Sequence, residues 1–127
     1  MEKSMLHTVA CLYAGVGYVD GELHDSERNA AISRLQQFVE DSETNVDEIF
    51  ADAISFWDNL PRSLPRYKQL VEIAKGLAET LDEHTRRSLL ADLEAIVRAD
   101  GRLGKVEYGI VRELATHMDL SEDDLTL

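Results

Sequence analysis

Asp20-Gly21-Glu22-Leu23-His24-Asp25-Ser26-Glu27 returns 80 residues later as Asp100-Gly101-Arg102-Leu103-Gly104-Lys105-Val106-Glu107. Both stretches read D-G-x-L-x-x-x-E. Each follows an apolar pattern of helical period, ending at Val19 or Ala99, and each opens another such pattern. Two units at a fixed offset mark an internal duplication. The sequence therefore predicts an all-α fold built on a duplicated helix–turn–helix with pseudo-two-fold symmetry.

The residue types suit a reversal between helices. Gly21 and Gly101 sit where the chain leaves a helix, a position that commonly needs positive φ, which glycine adopts without a Cβ clash. Asp20 and Asp100 can accept hydrogen bonds from turn amides two residues on. Leu23 and Leu103 can fold back onto the preceding helix. Glu27 and Glu107 fall in the first turn of the next helix, where a carboxylate meets the positive end of the helix dipole and can close a capping box. With the glutamates at the third helical position, the cap residues are His24 and Gly104, neither of them the favoured Ser or Thr.

Capping and turn formation account for each residue separately. They do not readily account for an Asp and a Glu held seven apart in both copies, since an Asp at a helix C-terminus meets negative carbonyl charge. Two hairpins packed about a two-fold could instead bring Asp20, Glu27, Asp100 and Glu107 together as oxygen ligands for a hard cation such as Ca²⁺, Mg²⁺ or Mn²⁺. The residues alone leave both readings open.

The doubled motif, each copy flanked by an apolar helix pair, resembles the tellurite-resistance TerB-like domain, from about Met5 to Leu125. The resemblance implies a compact, duplicated helical domain, usually cytoplasmic and without known catalysis. It also implies links to acidic metal sites, to membrane-associated stress complexes and to tellurite resistance. Carried over by motif position, the acidic residues are Asp20, Glu27, Asp100 and Glu107. The chain departs from the family at His24 and Gly104, where Ser is frequent, which bears on the local turn geometry and not on the acids.

A chain of 127 residues suits one domain, 1–127, with repeat halves at about 4–60 and 66–127. The net charge of −12 argues against a basic surface for nucleic acid or anionic lipid, and favours cationic partners, including metal ions. The single cysteine, Cys11, excludes an intrachain disulfide and points to a reducing, cytoplasmic setting. Within an apolar helical pattern it reads as a small buried hydrophobe, with no paired base to make it a nucleophile. Residues 4–19 contain no Asp, Glu, Lys or Arg, and 8–11 faintly resemble a lipoprotein cleavage box. The stretch is too short for a membrane span and supplies the first repeat's leading helix, so it reads as a core helix.

In order, the periodicity predicts helices over about 4–19, 25–40, 46–60, 66–81, 83–99 and 105–117, and a seventh short one capped by Ser121. The stretch from Glu40 through Asp58 contains seven acids and no Lys or Arg, which reads as a solvated face or as a docking surface for a basic or membrane-associated protein partner. Pro61-Arg62-Ser63-Leu64-Pro65 is a rigid connector between halves, and Arg62, Arg66 and Lys68 can balance the acidic helix beside it. No phosphate-binding glycine loop, G-x-S-x-G, H-E-x-x-H or E-x-x-H occurs, and the glycine at the motif's second position is not that of an EF-hand. His7, His24, His84 and His117 are scattered, with His24 alone inside an acidic turn. The expectation is a non-enzymatic module, with a metal-free protein-interaction scaffold and a metal-dependent enzyme as the alternatives.

Overall fold

A computed structural model describes residues 1–19, 23–61, 65–99, 101 and 105–125, with the side chains of 105–107 and 122 set aside. The uncharged stretch near the N-terminus becomes the axis of the molecule. Helix α1 spans Lys3–Tyr18 and is buried continuously from Leu12 to Gly17. Leu6, Val9, Ala10, Leu12, Tyr13, Ala14 and Val16 have almost no exposed surface. A helix apolar all round needs partners on every side. It finds them in α2 (Asp25–Leu35), α3 (Val46–Asp58), α4 (Arg66–Thr80), α5 (Glu83–Arg98) and α6 (Lys105–His117), all of which pack against α1.

The apolar stripes predicted on the other helices meet this axis. Ile49, Phe50, Ala53 and Trp57 of α3 are buried, as are Leu70, Ala74 and Leu77 of α4, Leu89, Leu93, Ile96 and Val97 of α5, and Ile110 and Leu114 of α6. Trp57 is anchored through its indole N–H, which donates to the Cys11 carbonyl at 2.8 Å. Three helices begin at residues that cap them. Asn45 accepts from the Glu48 N–H, Asp82 accepts from the Thr85 N–H, and His24 opens α2 in an extended conformation.

Hairpin α1–α2 and hairpin α5–α6 exchange partners. Helix α2 packs on α5, and α6 packs on α1, the pairing that a two-fold between duplicated hairpins requires. Helices α1 and α5 run in the same direction. Met5 and Thr85, near their starts, line one groove, and Tyr13 and Asp92, two turns on, are hydrogen-bonded.

Two segments differ from the sequence expectation. Six α-helices are present among the described residues, where seven helical segments are predicted: the segment after Ser121 is a single 3₁₀ turn, Glu122–Asp124. Three residues make too few hydrogen bonds to offset helix nucleation. The second helix ends at Leu35 and tightens into a 3₁₀ turn, Gln36–Phe38, before Val39 turns extended. That shortening brings Gln37 to the side of α5. No strand occurs among the described residues, and no helix there is long and apolar enough to cross a membrane.

Candidate functional site

The first turn is held from three directions. The last carbonyl of α1, on Tyr18, accepts from the Arg66 guanidinium at 3.1 Å, and the same guanidinium lies over the Tyr18 ring. Arg66 thus places a cation at the negative end of α1. Leu23 folds back over Gly17, where a Cβ would stand only 2.4 Å from Leu23 Cδ1. The glycine leaves the space that the turn's leucine fills. The His24 N–H donates to Glu27 Oε1 at 3.1 Å, closing the capping box with glutamate at the third helical position. Glu27 has 0% of its surface exposed. A wholly buried carboxylate is uncommon, because transfer of its charge out of water is costly unless other groups compensate.

In the second turn the glycine itself is described. Gly101 has φ +77°, and its N–H donates to the Arg98 carbonyl at 2.9 Å. A Cβ there would meet nothing within 4 Å, so backbone conformation and not space requires glycine. Glu107 is the third residue of α6, as Glu27 is of α2.

Because α1 and α5 run side by side in one direction, Val19 and Ala99, from which the two turns leave, lie at the same end of the molecule. Of the four acids predicted as ligands, Glu27 is described and buried. Asp20, Asp100 and the side chain of Glu107 lie outside the described residues, as do Gly21 and Leu103. Among the described residues no group of three His, Cys, Asp or Glu side chains is arranged to hold a metal ion.

Two buried acids escape sequence reasoning, Asp92 and Glu94. Asp92 accepts from the Tyr13 hydroxyl, accepts from Gln37 Nε2 at 2.6 Å, and lies 3.6 Å from the Arg34 guanidinium. This cluster joins α1, α2, the 3₁₀ turn and α5. Burial pushes the Asp92 carboxyl above the usual carboxylate range, against the lowering effect of its donors and of Arg34. Burial, then the Asp92 charge, push the Tyr13 hydroxyl far above its ordinary value. The signal was present in the sequence: position 92 falls on the apolar stripe of α5, between Leu89 and Ile96.

Other candidates resolve into structural roles. Burial pushes the Cys11 thiol up to about 11, opposite to what a nucleophile needs. His24 caps α2 and is exposed, while His7 lies 4.0 Å from Asp52. In the acidic stretch, Asp41 organises its own loop by accepting from the Glu43 and Thr44 amides and the Thr44 hydroxyl. Asp47, Glu48 and Asp52 face solvent on α3.

Compared with known families, residues 6–127 match the model of the Tellurite resistance protein TerB family. The chain belongs to the TerB family. No curated protein and no solved structure matches it. The TerB match runs through both D-G turns and all six α-helices, so the family expected from the doubled motif is the family found.

Proposed function

We propose that this TerB-family chain is a non-catalytic module that takes up a divalent cation through Asp20, Glu27, Asp100 and Glu107 and serves in stress-response complexes of the kind the family's name indicates. The observation that carries the reading is the buried Glu27 carboxylate, held at the end of the molecule from which both motif turns leave. The donor set fits the ion: four carboxylates supply the hard oxygen ligands that Ca²⁺, Mg²⁺ and Mn²⁺ prefer, with no thiolate or imidazole to select a softer metal. A bound cation would supply charge that offsets the mutual repulsion of the carboxylates. The chain's own residues hold the two turns. Arg66 and Leu23 brace the first, Gly101 shapes the second, and the His24 amide orients Glu27.

Melting of the full chain with Ca²⁺, Mg²⁺ or Mn²⁺ at constant ionic strength tests this. A ligand that binds only the folded state adds about 2.7 kcal/mol at a hundredfold excess over its Kd. Wild type should gain stability, Asp20→Asn with Asp100→Asn should lose the gain, and Asp47→Asn with Asp52→Asn should keep it. The control matters because diffuse screening also stabilises a chain of net charge −12. Identical responses of wild type and motif variant would reduce the acids to caps and turn formers. The exposed Asp47, Glu48 and Asp52 favour a second reading in that event, a metal-free scaffold whose acidic helix docks a basic partner.

A further inference from the structure

At the end of α1 opposite the motif turns lies an open groove of about 390 Å³, walled by Met1, Glu2 and Met5 of the N-terminal segment, Phe38 of the 3₁₀ turn, and Leu81 and Thr85 at the α4–α5 junction. Met1, Met5, Phe38 and Leu81 are partly buried and pack on the main core, so the floor of the groove is an outward extension of the core. Its volume is near the lower bound of about 300–1,000 Å³ for ligand sites, room for one or two large apolar side chains. Two of the four apolar walls are methionines, whose unbranched, polarisable side chains adapt to varied partners.

The mouth is acidic. Glu2 lines the groove. Glu40, 80% exposed, lies 2.6 Å from the Met1 amine. Asp82 is exposed beside Leu81 and is fixed there by accepting the Thr85 N–H at 2.7 Å. The neighbouring cations are already engaged or directed elsewhere. The Met1 amine bonds the Phe38 carbonyl and Glu40, Arg86 donates to the Leu81 and Met118 carbonyls, and Arg87 pairs with Glu83 and Asp124. Lys3 is the remaining exposed cation on this segment. An apolar floor with Glu2 in its wall and Glu40 and Asp82 beside it is complementary to an apolar side chain flanked by Lys or Arg.

We infer that this groove docks a basic amphipathic segment of a partner protein, inserting one or two large apolar side chains between Met1, Met5, Phe38 and Leu81 while its cations meet Glu2, Glu40 and Asp82. The inference does not rest on the cation reading, since the two sites lie at opposite ends of α1.

The chain's three methionines provide the test without mutation: Met1 and Met5 line the groove, whereas Met118 is fully buried in the core. The full chain, ¹³C-methyl-labelled at methionine, is titrated with a synthetic lysine–leucine amphipathic peptide in about 150 mM salt, where long-range attraction is screened. The Met1 and Met5 methyl signals should move saturably and Met118 should not. A charge-matched peptide with Ser for every Leu should bind at least about tenfold more weakly, because it has no apolar surface to bury. A glutamate–leucine peptide should also bind at least about tenfold more weakly, through like-charge repulsion at the mouth. Static Met1 and Met5 signals, equal binding of the three peptides, or equal movement of Met118 would overturn the inference. Movement of Met1 and Met5 on concentrating the protein alone would also overturn it, assigning the groove to a second copy of the chain.

Discussion

Glycine-to-alanine substitution should have opposite signs at two helical positions, and the difference probes the seat of the central helix. At Gly15 of α1 a new Cβ would stand 2.4 Å from Trp57 Cζ2, 2.9 Å from Trp57 Cε2 and 2.7 Å from Leu70 Cδ1. None of these atoms yields easily. Trp57 and Leu70 are fully buried. The indole is tethered to the Cys11 carbonyl, stacked near Tyr18 and met edge-on by Phe56. Forcing a methyl into a packed site costs about 1–3 kcal/mol, and three contacts this short belong at the upper end. Alanine regains about 1 kcal/mol of helix propensity, so Gly15→Ala should lose about 2 kcal/mol net. At Gly76 of α4 the new Cβ would meet nothing within 4 Å. There only the propensity term operates, and Gly76→Ala should gain up to about 1 kcal/mol. In urea, with a slope of about 1–3 kcal/mol per molar, a 2 kcal/mol loss lowers the midpoint by roughly 1 M. A Gly15→Ala midpoint at or above wild type, with unchanged slope, would refute the claim that α1 is seated directly on Trp57 and Leu70.

Two further outcomes follow from the turn and from the buried cluster. Gly101→Val should cost more than about 1 kcal/mol in chemical denaturation, since a β-branched residue fits badly at positive φ; a wild-type midpoint would show that the turn tolerates another conformation. Tyr13→Phe removes a donor from buried Asp92 and should cost about 1–3 kcal/mol. The loss should grow with pH. Burial raises the folded-state Asp92 carboxyl above its unfolded value, so its contribution is fullest below the unfolded pKa and falls as pH rises through the folded one. Losing the hydroxyl raises that folded value further. Urea unfolding at about pH 5.5 and pH 8 checks the sign, and a pH-independent deficit would show that Asp92 does not titrate in this window.

Local chemistry was legible in the chain itself. A glycine at positive φ, a glutamate at the third helical position and a leucine folding back onto its own helix involve neighbours within a few residues, and the structure has them at Gly101, Glu27 and Leu23. Helix starts are equally local, because Asn45 and Asp82 act on amides three residues ahead. The apolar stripes declared which faces turn inward, since helical period alone sets them. What they could not declare is which helix would be surrounded. Leu12 and Val16 of α1 are buried, along with Leu6, Val9 and Tyr13, because the other helices pack around it. The parallel course of α1 and α5, which brings Val19 and Ala99 to one end, is likewise a product of assembly. So are the Tyr13–Asp92 bond across 79 residues and the Arg66 grip on Tyr18 across 48. The groove between Met1, Phe38 and Leu81 comes from three segments far apart in sequence. Turns and caps are settled by atoms that are neighbours along the backbone in any compact state. The course of whole helices is settled by which surfaces exclude most water together, a sum over distant residues that no local pattern contains.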